Sequence, residues 1–498
     1  MIGRQERWQE DLFVACPLRE LIPDDHILKR VDKVLDLSWL RDEVRDSYCL
    51  DNGRPGIDPE GAVRLMLAGL FQGIVHDRRL MREAQVNLAI RWFAGYRLQE
   101  RLPDHSSLTR IRQRWGADRF KRIFLKTVKA CVEAGLVNAE TVHVDATLIR
   151  ADVSWESLTE RHADEVIKQN PCTDDPDDGN RPGKPGRPKT KPKNAKKHST
   201  TDPDATLTTS CKQVRMEPCY KQHTAVDDKR GVVLDVEVTT GEASEGERLI
   251  RQIDRVEDST GRKVRTVTAD SAYAHSKNYM ALENRKIEAV IPPQTQRKKP
   301  KRIPARRFKY DGKHKLVRCP AGKTLRRSHR EPWRWIYRAR GLDCRNCALR
   351  ARCVPPSAKV RTIAIADGHE ALLRARRRHE KGWDRPTRRV YHRHRWRSEG
   401  AHGEAKNWHA LRRAFRRRLW NVEIQAYLTA AVMNLKRLAR LEELPGAERA
   451  ALRQSAALLL AILRLLGQLE VRQAAEKHFS SPAWDVAPSK QHIFHLAA

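Results

Sequence analysis

The stretch Thr141–Arg150, TVHVDATLIR, decides how the middle of the chain is read. Val142, Val144, Ala146 and Leu148 alternate with mostly polar residues, and the β-branched Thr141, Val142, Val144, Thr147 and Ile149 favour an extended chain. The segment therefore reads as a strand, with Asp145 as its misfit. An unpaired carboxylate there would be costly or would give up its charge, so a cation or hydrogen-bond donors are expected beside it. A carboxylate that caps a turn at a strand end would read the same way.

Two more acids extend the problem. CYKQHTAVDDKRGVVLDVEVTTGEAS holds two β-rich runs around the turn-forming Asp227–Gly231, EGERLIRQIDRVEDS reads as a helix, and RKVRTVTADSAYA is a short strand ending in Asp270. HSKNYMALENRK reads as a helix, IEAVIPP as a last strand, and YHRHRWRSEGAHGEAKNWHALRRAF as helical. In that final helix Arg395, Glu399, His402 and Lys406 share one face, whereas Glu404 points about 140° away from Glu399. A surface salt-bridge ladder has the same spacing. If the helix packs on the sheet, however, three carboxylates converge. Such a set suits phosphodiester cleavage, in which two Mg²⁺ ions about 4 Å apart activate the attacking oxygen and stabilise the leaving one. The expected class is α/β, a mixed sheet between helices.

Composition points to the partner. Against 63 Asp+Glu stand 98 Lys+Arg, a formal charge of +35 that makes nucleic acid the first partner to consider. A chain of 498 residues exceeds one ordinary core. The apolar run AALLLAILRLLGQLE is broken by Arg464, so no membrane span is expected, and ten cysteines in a chain this long suggest a reducing, cytoplasmic compartment.

Residues 1–138 read as a helical DNA-binding domain. DDHILKRVDKVLDL puts Ile27, Leu28, Val31, Val34 and Leu35 on one face, DPEGAVRLMLAGLF starts with Asp58 as cap and Pro59 in the first turn, and PDHSSLTRIRQRWGADRF interleaves Arg110, Arg112 and Arg114 with Leu108, Ile111 and Trp115. Short basic helices suit DNA contact, and a helical bundle with a solvated basic face fits the same pattern. Residues 139–293 read as the first part of a catalytic core, interrupted at about 165–200 by a disordered basic loop rich in Pro, Gly and Lys. Residues 294–389 form a basic insertion, 390–440 carry the glutamate helix, and 441–498 form a helical tail. In the insertion Cys319, Cys344, Cys347 and Cys353 match the ligand count of one structural zinc, with free thiols as the alternative. Trp333, Trp335 and Tyr337 alternate with arginines, either as aromatics packed under a metal or as a surface for base stacking.

Taken in order, GRPGIDPEGAVRLMLAGLFQGI, RWFAGYRL, LPDHSSLTRIRQRW, HVDATLIRA, HSTTDPDA, YKQHTAVDDKRGVVLDVEVTTG, VTADSAY and EGAHGEAKNWHALRRAFRR resemble successive blocks of the bacterial insertion-sequence transposases with an Asp-Asp-Glu triad. The resemblance implies a ribonuclease-H-like core, a mixed five-stranded sheet with flanking helices, behind an all-helical N-terminal domain. It also implies a DNA transposase that binds terminal inverted repeats, cleaves there with Mg²⁺ or Mn²⁺, and joins the 3′-hydroxyl ends to target DNA. Asp145, Asp270 and Glu399 take the positions of the three acids. Arg395 and Lys406 take those of phosphate-binding residues, and a homodimer on double-stranded DNA is expected. A stand-alone nuclease of the same fold and an inactive DNA-binding relic are the alternatives. The family signature places a tyrosine three residues before the arginine; here His392 occupies that position, and Tyr391 is one residue out of register.

Overall fold

In the computed structural model, residues 16–49, 56–162, 195–209, 216–294 and 302–441 are described. The expected tail at 441–498 lies outside them but for residue 441, as does the expected basic loop from about 165 to 194.

Helices α1 (Ile27–Asp32), α2 (Leu40–Val44), α3 (Pro59–Phe71), α4 (Asp77–Val86), α5 (Leu88–Phe93) and α6 (His105–Glu133) form the N-terminal region. Their starts follow the sequence signals. The Asp58 carboxylate accepts from the Gly61 amide at 3.0 Å ahead of α3, and Asp104 accepts from Ser106 at 2.8 Å ahead of α6. The long α6 bends at Gly116, whose φ of 69° is open to glycine without a side-chain penalty.

From Thr141 the chain forms strands. These are β1 (Thr141–Arg150), β2 (Leu158–His162), β3 (Ala195–Ser199), β4 (Thr206–Thr208), β5 (Glu217–Asp227), β6 (Val233–Thr240), β7 (Thr266–Thr268) and β8 (Glu288–Val290). The central five run in the order β6-β5-β1-β7-β8; β1 is antiparallel to β5 and parallel to β7. This is the mixed five-stranded, ribonuclease-H-like core. Strands β2, β3 and β4 enlarge it to eight by continuing along the edge of β5. Their presence corrects the extent of the basic loop, because Ala195–Ser199 pairs with Leu158–His162. Just beyond, the Ser199 hydroxyl meets that of Ser157 at 2.7 Å, and the buried Asp202 receives the Tyr220 hydroxyl at 2.6 Å.

Helices α7 (Leu249–Thr260) and α8 (Ser276–Asn284) flank the sheet. The insertion adds an antiparallel sheet of β9 (Lys309–Asp311), β10 (Leu316–Arg318), β11 (Thr324–Glu331), β12 (Arg334–Arg338) and β13 (Thr362–Ala366), with short helices α9 (Gly341–Arg345) and α10 (Arg350–Cys353). It has its own small core around Phe308, Val317, Leu325, Tyr337 and Ile363. Helix α11 (His369–Glu380) packs on α8 and leads to α12 (Arg385–His394), a single π turn (Arg395–Glu399) and α13 (Gly400–Trp408). The last described helix, α14 (Leu419–Leu441), is almost wholly buried between α6 and β6. Its Asn434 donates to the Val233 carbonyl and accepts from the Val233 amide, both at 2.9 Å, while its amide nitrogen also reaches Thr127 of α6 at 3.3 Å. One hydrophobic core thus runs from Ile22 in the N-terminal region to Leu441. No helix among the described residues is long and apolar enough to cross a membrane.

Candidate active site

His143 and Thr268 are paired across the parallel strands β1 and β7, and each stands two residues before an aspartate. Asp145 and Asp270 therefore emerge side by side at the carboxyl end of this pair, on one face, because side chains alternate with a period of two. Asp145 accepts from the Ala146 amide at 2.8 Å, and Asp270 caps the turn that follows by accepting from Ala272 at 2.7 Å. The π turn that ends in Glu399 packs against β1 and β5. Burial pushes the Asp145 carboxyl up to about 7; the Ala146 amide opposes this, and the charges of Asp270, Glu245 and Glu399 add to it. Asp270 and Glu399 are thus each near enough to act on Asp145.

Arg395 Nε meets Glu399 at 3.1 Å, both side chains being exposed. One turn on, the buried His402 stands 3.6 Å from Asp145 and reaches Thr224 at 3.2 Å; Thr224 is the cross-strand partner of Asp145 on β5. Lys406 lies beyond it, held below its ordinary pKa by burial and by Arg412, against the charges of Cys219 and Asp145. Glu404 points elsewhere, as its spacing requires. Although half-buried, it is kept well below the usual carboxylate range by His409, Arg437 and Lys436, the last at 2.8 Å.

The tyrosine offset has a geometric answer. In a regular helix Tyr391, eight residues before Glu399, would lie about 80° round from it, whereas a seven-residue offset is nearly in line. A π turn takes up one additional residue, which returns the eight-residue offset to the face of Glu399. Tyr391 is half-buried and stacks on His394 at 6.0 Å, and its hydroxyl is raised by burial and then by the charges of Asp270 and Asp145. His392 is exposed.

Two neighbours were not foreseen. Glu245, in the turn after β6, adds a fourth negative charge while bound to Lys221 at 3.1 Å. Tyr273 is fully buried, its hydroxyl has no hydrogen-bond partner among the described residues, and burial with the charges of Glu245, Asp145 and Asp270 raises it well above its ordinary value. Sequence patterning offers no signal for either, since both depend on where two turns come together.

Hard carboxylate oxygens, an electrostatically crowded Asp145 and an orphaned hydroxyl fit a hydrated divalent cation. Among the described residues, no group of three or more His, Cys, Asp or Glu is already closed around a metal-sized point. The four insertion cysteines are likewise gathered but open. Cys319, Cys344, Cys347 and Cys353 are free thiols lining one cavity, and burial raises the Cys353 thiol, Arg361 opposing and the other three cysteines adding to it. Four sulfur donors of this kind suit zinc. Of the hairpin aromatics, Tyr337 is fully buried, Trp335 lies under Arg327 at 4.3 Å, and Trp333 is 73% exposed.

The arginines expected on DNA separate. Arg110 and Arg114 are exposed on α6, Arg114 lying over Tyr48 at 4.9 Å. Arg112 is buried, with both terminal nitrogens on the carboxylate of Asp77 at 2.8 and 3.0 Å, which Arg416 also meets at 2.5 Å. Its assignment as a DNA contact is corrected. Residues two apart on a helix differ by about 200°, so the three arginines cannot share a surface.

Two family models match the chain, a Transposase domain (DUF772) over residues 17–114 and a Transposase DDE domain over residues 195–435. Together they span well over half of it. No curated protein matches. Among solved structures, the piggyBac transposase synaptic complex with hairpin DNA is similar at 10% identity, covering 92% of this chain and 82% of that one with a TM-score of 0.31. The Mos1 transposase paired-end complex with the left transposon end is similar at 11% identity, covering 51% and 65% with a TM-score of 0.15. A Mos1 mariner paired-end complex with Mn matches at 12% identity, 51% and 64% coverage and a TM-score of 0.14. On the two matched domains, this chain belongs to the transposases with a DDE domain.

Proposed function

We propose that the chain binds the terminal inverted repeats of an insertion sequence, hydrolyses phosphodiester bonds there, and joins the freed 3′-hydroxyls to target DNA. The observation that carries this is the convergence of Asp145, Asp270 and Glu399 at the end of β1 and β7. These three carboxylates would hold Mg²⁺ or Mn²⁺, which when bound supplies Lewis acidity to the phosphate and lowers the pKa of the attacking water. His402, between Thr224 and Asp145, keeps the Asp145 carboxylate turned toward the cluster. Arg395 is free to exchange its exposed contact with Glu399 for a DNA phosphate, and Lys406 approaches the same strand from the next turns. Tyr391, whose hydroxyl feels the charges of Asp270 and Asp145, orients the DNA at the cut.

Arg110 and Arg114 supply contacts nearer the repeat, the remaining basic surface supplies phosphate contacts, and two chains act together because two ends must be joined. A zinc ion held by Cys319, Cys344, Cys347 and Cys353 braces the insertion. The protein works in the cytoplasm, on the nucleoid of a bacterium. The test uses duplex DNA carrying the sequences that flank the gene. Asp145→Asn, Asp270→Asn and Glu399→Gln should each abolish cleavage and leave DNA binding nearly intact; cleavage at the parental rate removes that residue from the triad. Cleavage by the parent without joining identifies the stand-alone nuclease, and no cleavage identifies the relic.

A further inference from the structure

Beneath the acids lies a chain of polar contacts that the reaction does not itself use. Asp228, in the turn after β5, is held by Arg393 Nε at 2.7 Å and accepts from His143 Nε2 at 3.0 Å. With that nitrogen carrying the proton, Nδ1 of the neutral ring is an acceptor, and the Thr268 hydroxyl donates to it at 2.7 Å. The Thr268 oxygen in turn accepts from His394 Nδ1 at 2.9 Å. Ser398 closes the sequence, its hydroxyl donating to the His394 carbonyl at 2.7 Å. His143, Thr268 and Ser398 are essentially without solvent exposure, and His394 is buried.

The placement is what gives this chain a function. His143 precedes Asp145 by two residues, Thr268 precedes Asp270 by two, and Ser398 adjoins Glu399. Apolar side chains would fill these buried positions without the cost of desolvating four polar groups. A directional bridge can do what they cannot: each hydrogen bond sets a distance and an angle between the elements that carry the acids. We propose that Thr268 is the positioning residue of the site, its hydroxyl tying strand β1 to helix α12 and thereby setting Glu399 against Asp145 and Asp270. The proposal rests on the metal-holding role of those acids given above.

Thr268→Val keeps the shape and removes both hydrogen bonds; Thr268→Ser keeps both. The measurement is the Mn²⁺ concentration that gives half-maximal cleavage of the same flanking-sequence duplex, with DNA affinity and melting temperature recorded alongside. Because each such bond is worth roughly a factor of two to ten, losing both should make Thr268→Val raise that concentration at least about tenfold, leave DNA affinity within about twofold, and be rescued in Thr268→Ser. An unchanged Mn²⁺ requirement in Thr268→Val, or an equal defect in Thr268→Ser, overturns the proposal. If Thr268→Val does not fold, His394→Asn, which retains a donor near Nδ1, should behave as the parent, and His394→Gln, which does not, should show the shift; equal behaviour of the two overturns it. Glu399→Gln run in parallel separates the layers. Should that variant cleave like the parent, the triad reading fails; should it be inactive while Thr268→Val is normal, the positioning role alone fails.

Discussion

Arg112→Ala offers the sharpest separation of scaffold from DNA contact. The side chain is 7% exposed, and its two nitrogens lie 2.8 and 3.0 Å from the Asp77 carboxylate, also 7% exposed. Removing one partner of a buried pair costs roughly 3–5 kcal/mol, because the remaining charge is left uncompensated. Here Arg416 stays 2.5 Å from Asp77, so the lower end, about 3 kcal/mol, is expected. At about 2–4 °C per kcal/mol for 150–250 residues, and less for the larger core here, the melting temperature should fall by roughly 6 °C. The pair has a pH signature as well. Burial raises the Asp77 carboxyl, but Arg112 and Arg416 outweigh it and hold it below its ordinary value. A depressed carboxylate contributes stability above its unfolded pKa of about 3.9 and loses it as pH falls through the folded value. The gap in melting temperature between parent and variant should therefore be full at neutral pH and shrink below about pH 4. The ratio of repeat to random DNA affinity at fixed salt should not move. A variant that melts with the parent while its affinity ratio narrows would refute the reasoning and return Arg112 to the DNA surface.

Arg110→Ala with Arg114→Ala should do the reverse, narrowing the repeat-to-random affinity ratio with a melting temperature within a few degrees of the parent, read by the same two assays. Mg²⁺ at about 100 times its dissociation constant should stabilise the parent by about 2.7 kcal/mol and Asp145→Asn by much less, as followed by thermal melting. Protein purified without chelator should contain about one equivalent of zinc by elemental analysis, and Cys344→Ser with Cys347→Ser should lose it and leave the triad activity in place; protein without zinc removes that site. Deleting residues 181–194, which stops short of the paired strand β3, should weaken binding to repeat and random DNA alike and flatten the salt dependence, measured as the slope of affinity against salt. Tyr391→Phe should slow cleavage about tenfold, whereas His392→Phe should not, in the flanking-sequence cleavage assay.

The two aspartates were legible because each ends or interrupts a β-rich run, and a carboxylate there needs a reason. Spacing alone left Glu399 open, since a surface salt-bridge ladder with Arg395, His402 and Lys406 has the same pattern; the two strand aspartates and the family resemblance singled it out. Arg112 was misread because the alternation of the α6 arginines is a strand's period laid on a helix, and only burial shows that Arg112 turns inward while Arg110 and Arg114 face out. Tyr391 required the π turn, a local widening that no residue type announces. Strand β3 was hidden because its lysines continue the composition of the basic stretch before it. Glu245 and Tyr273 lie in separate turns, far from Asp145 in sequence, and meet it only through the strand order.

Asn434 carries a consequence for how this protein is made. It fastens α14 to Thr127, 307 residues earlier, and to Val233, so α1, α3 and α6, which also pack on their N-terminal neighbours, gain their contacts with α14 only when the end of the described chain has been synthesised. At about 5–20 residues per second the ribosome takes roughly 15–60 s to cover that interval. Throughout it, the apolar face of α6 waits without its cover, and a prematurely ended product has no complete scaffold on which to present Arg110 and Arg114. Truncated translation products should accordingly be cleared by proteases rather than compete with the full-length protein for element ends.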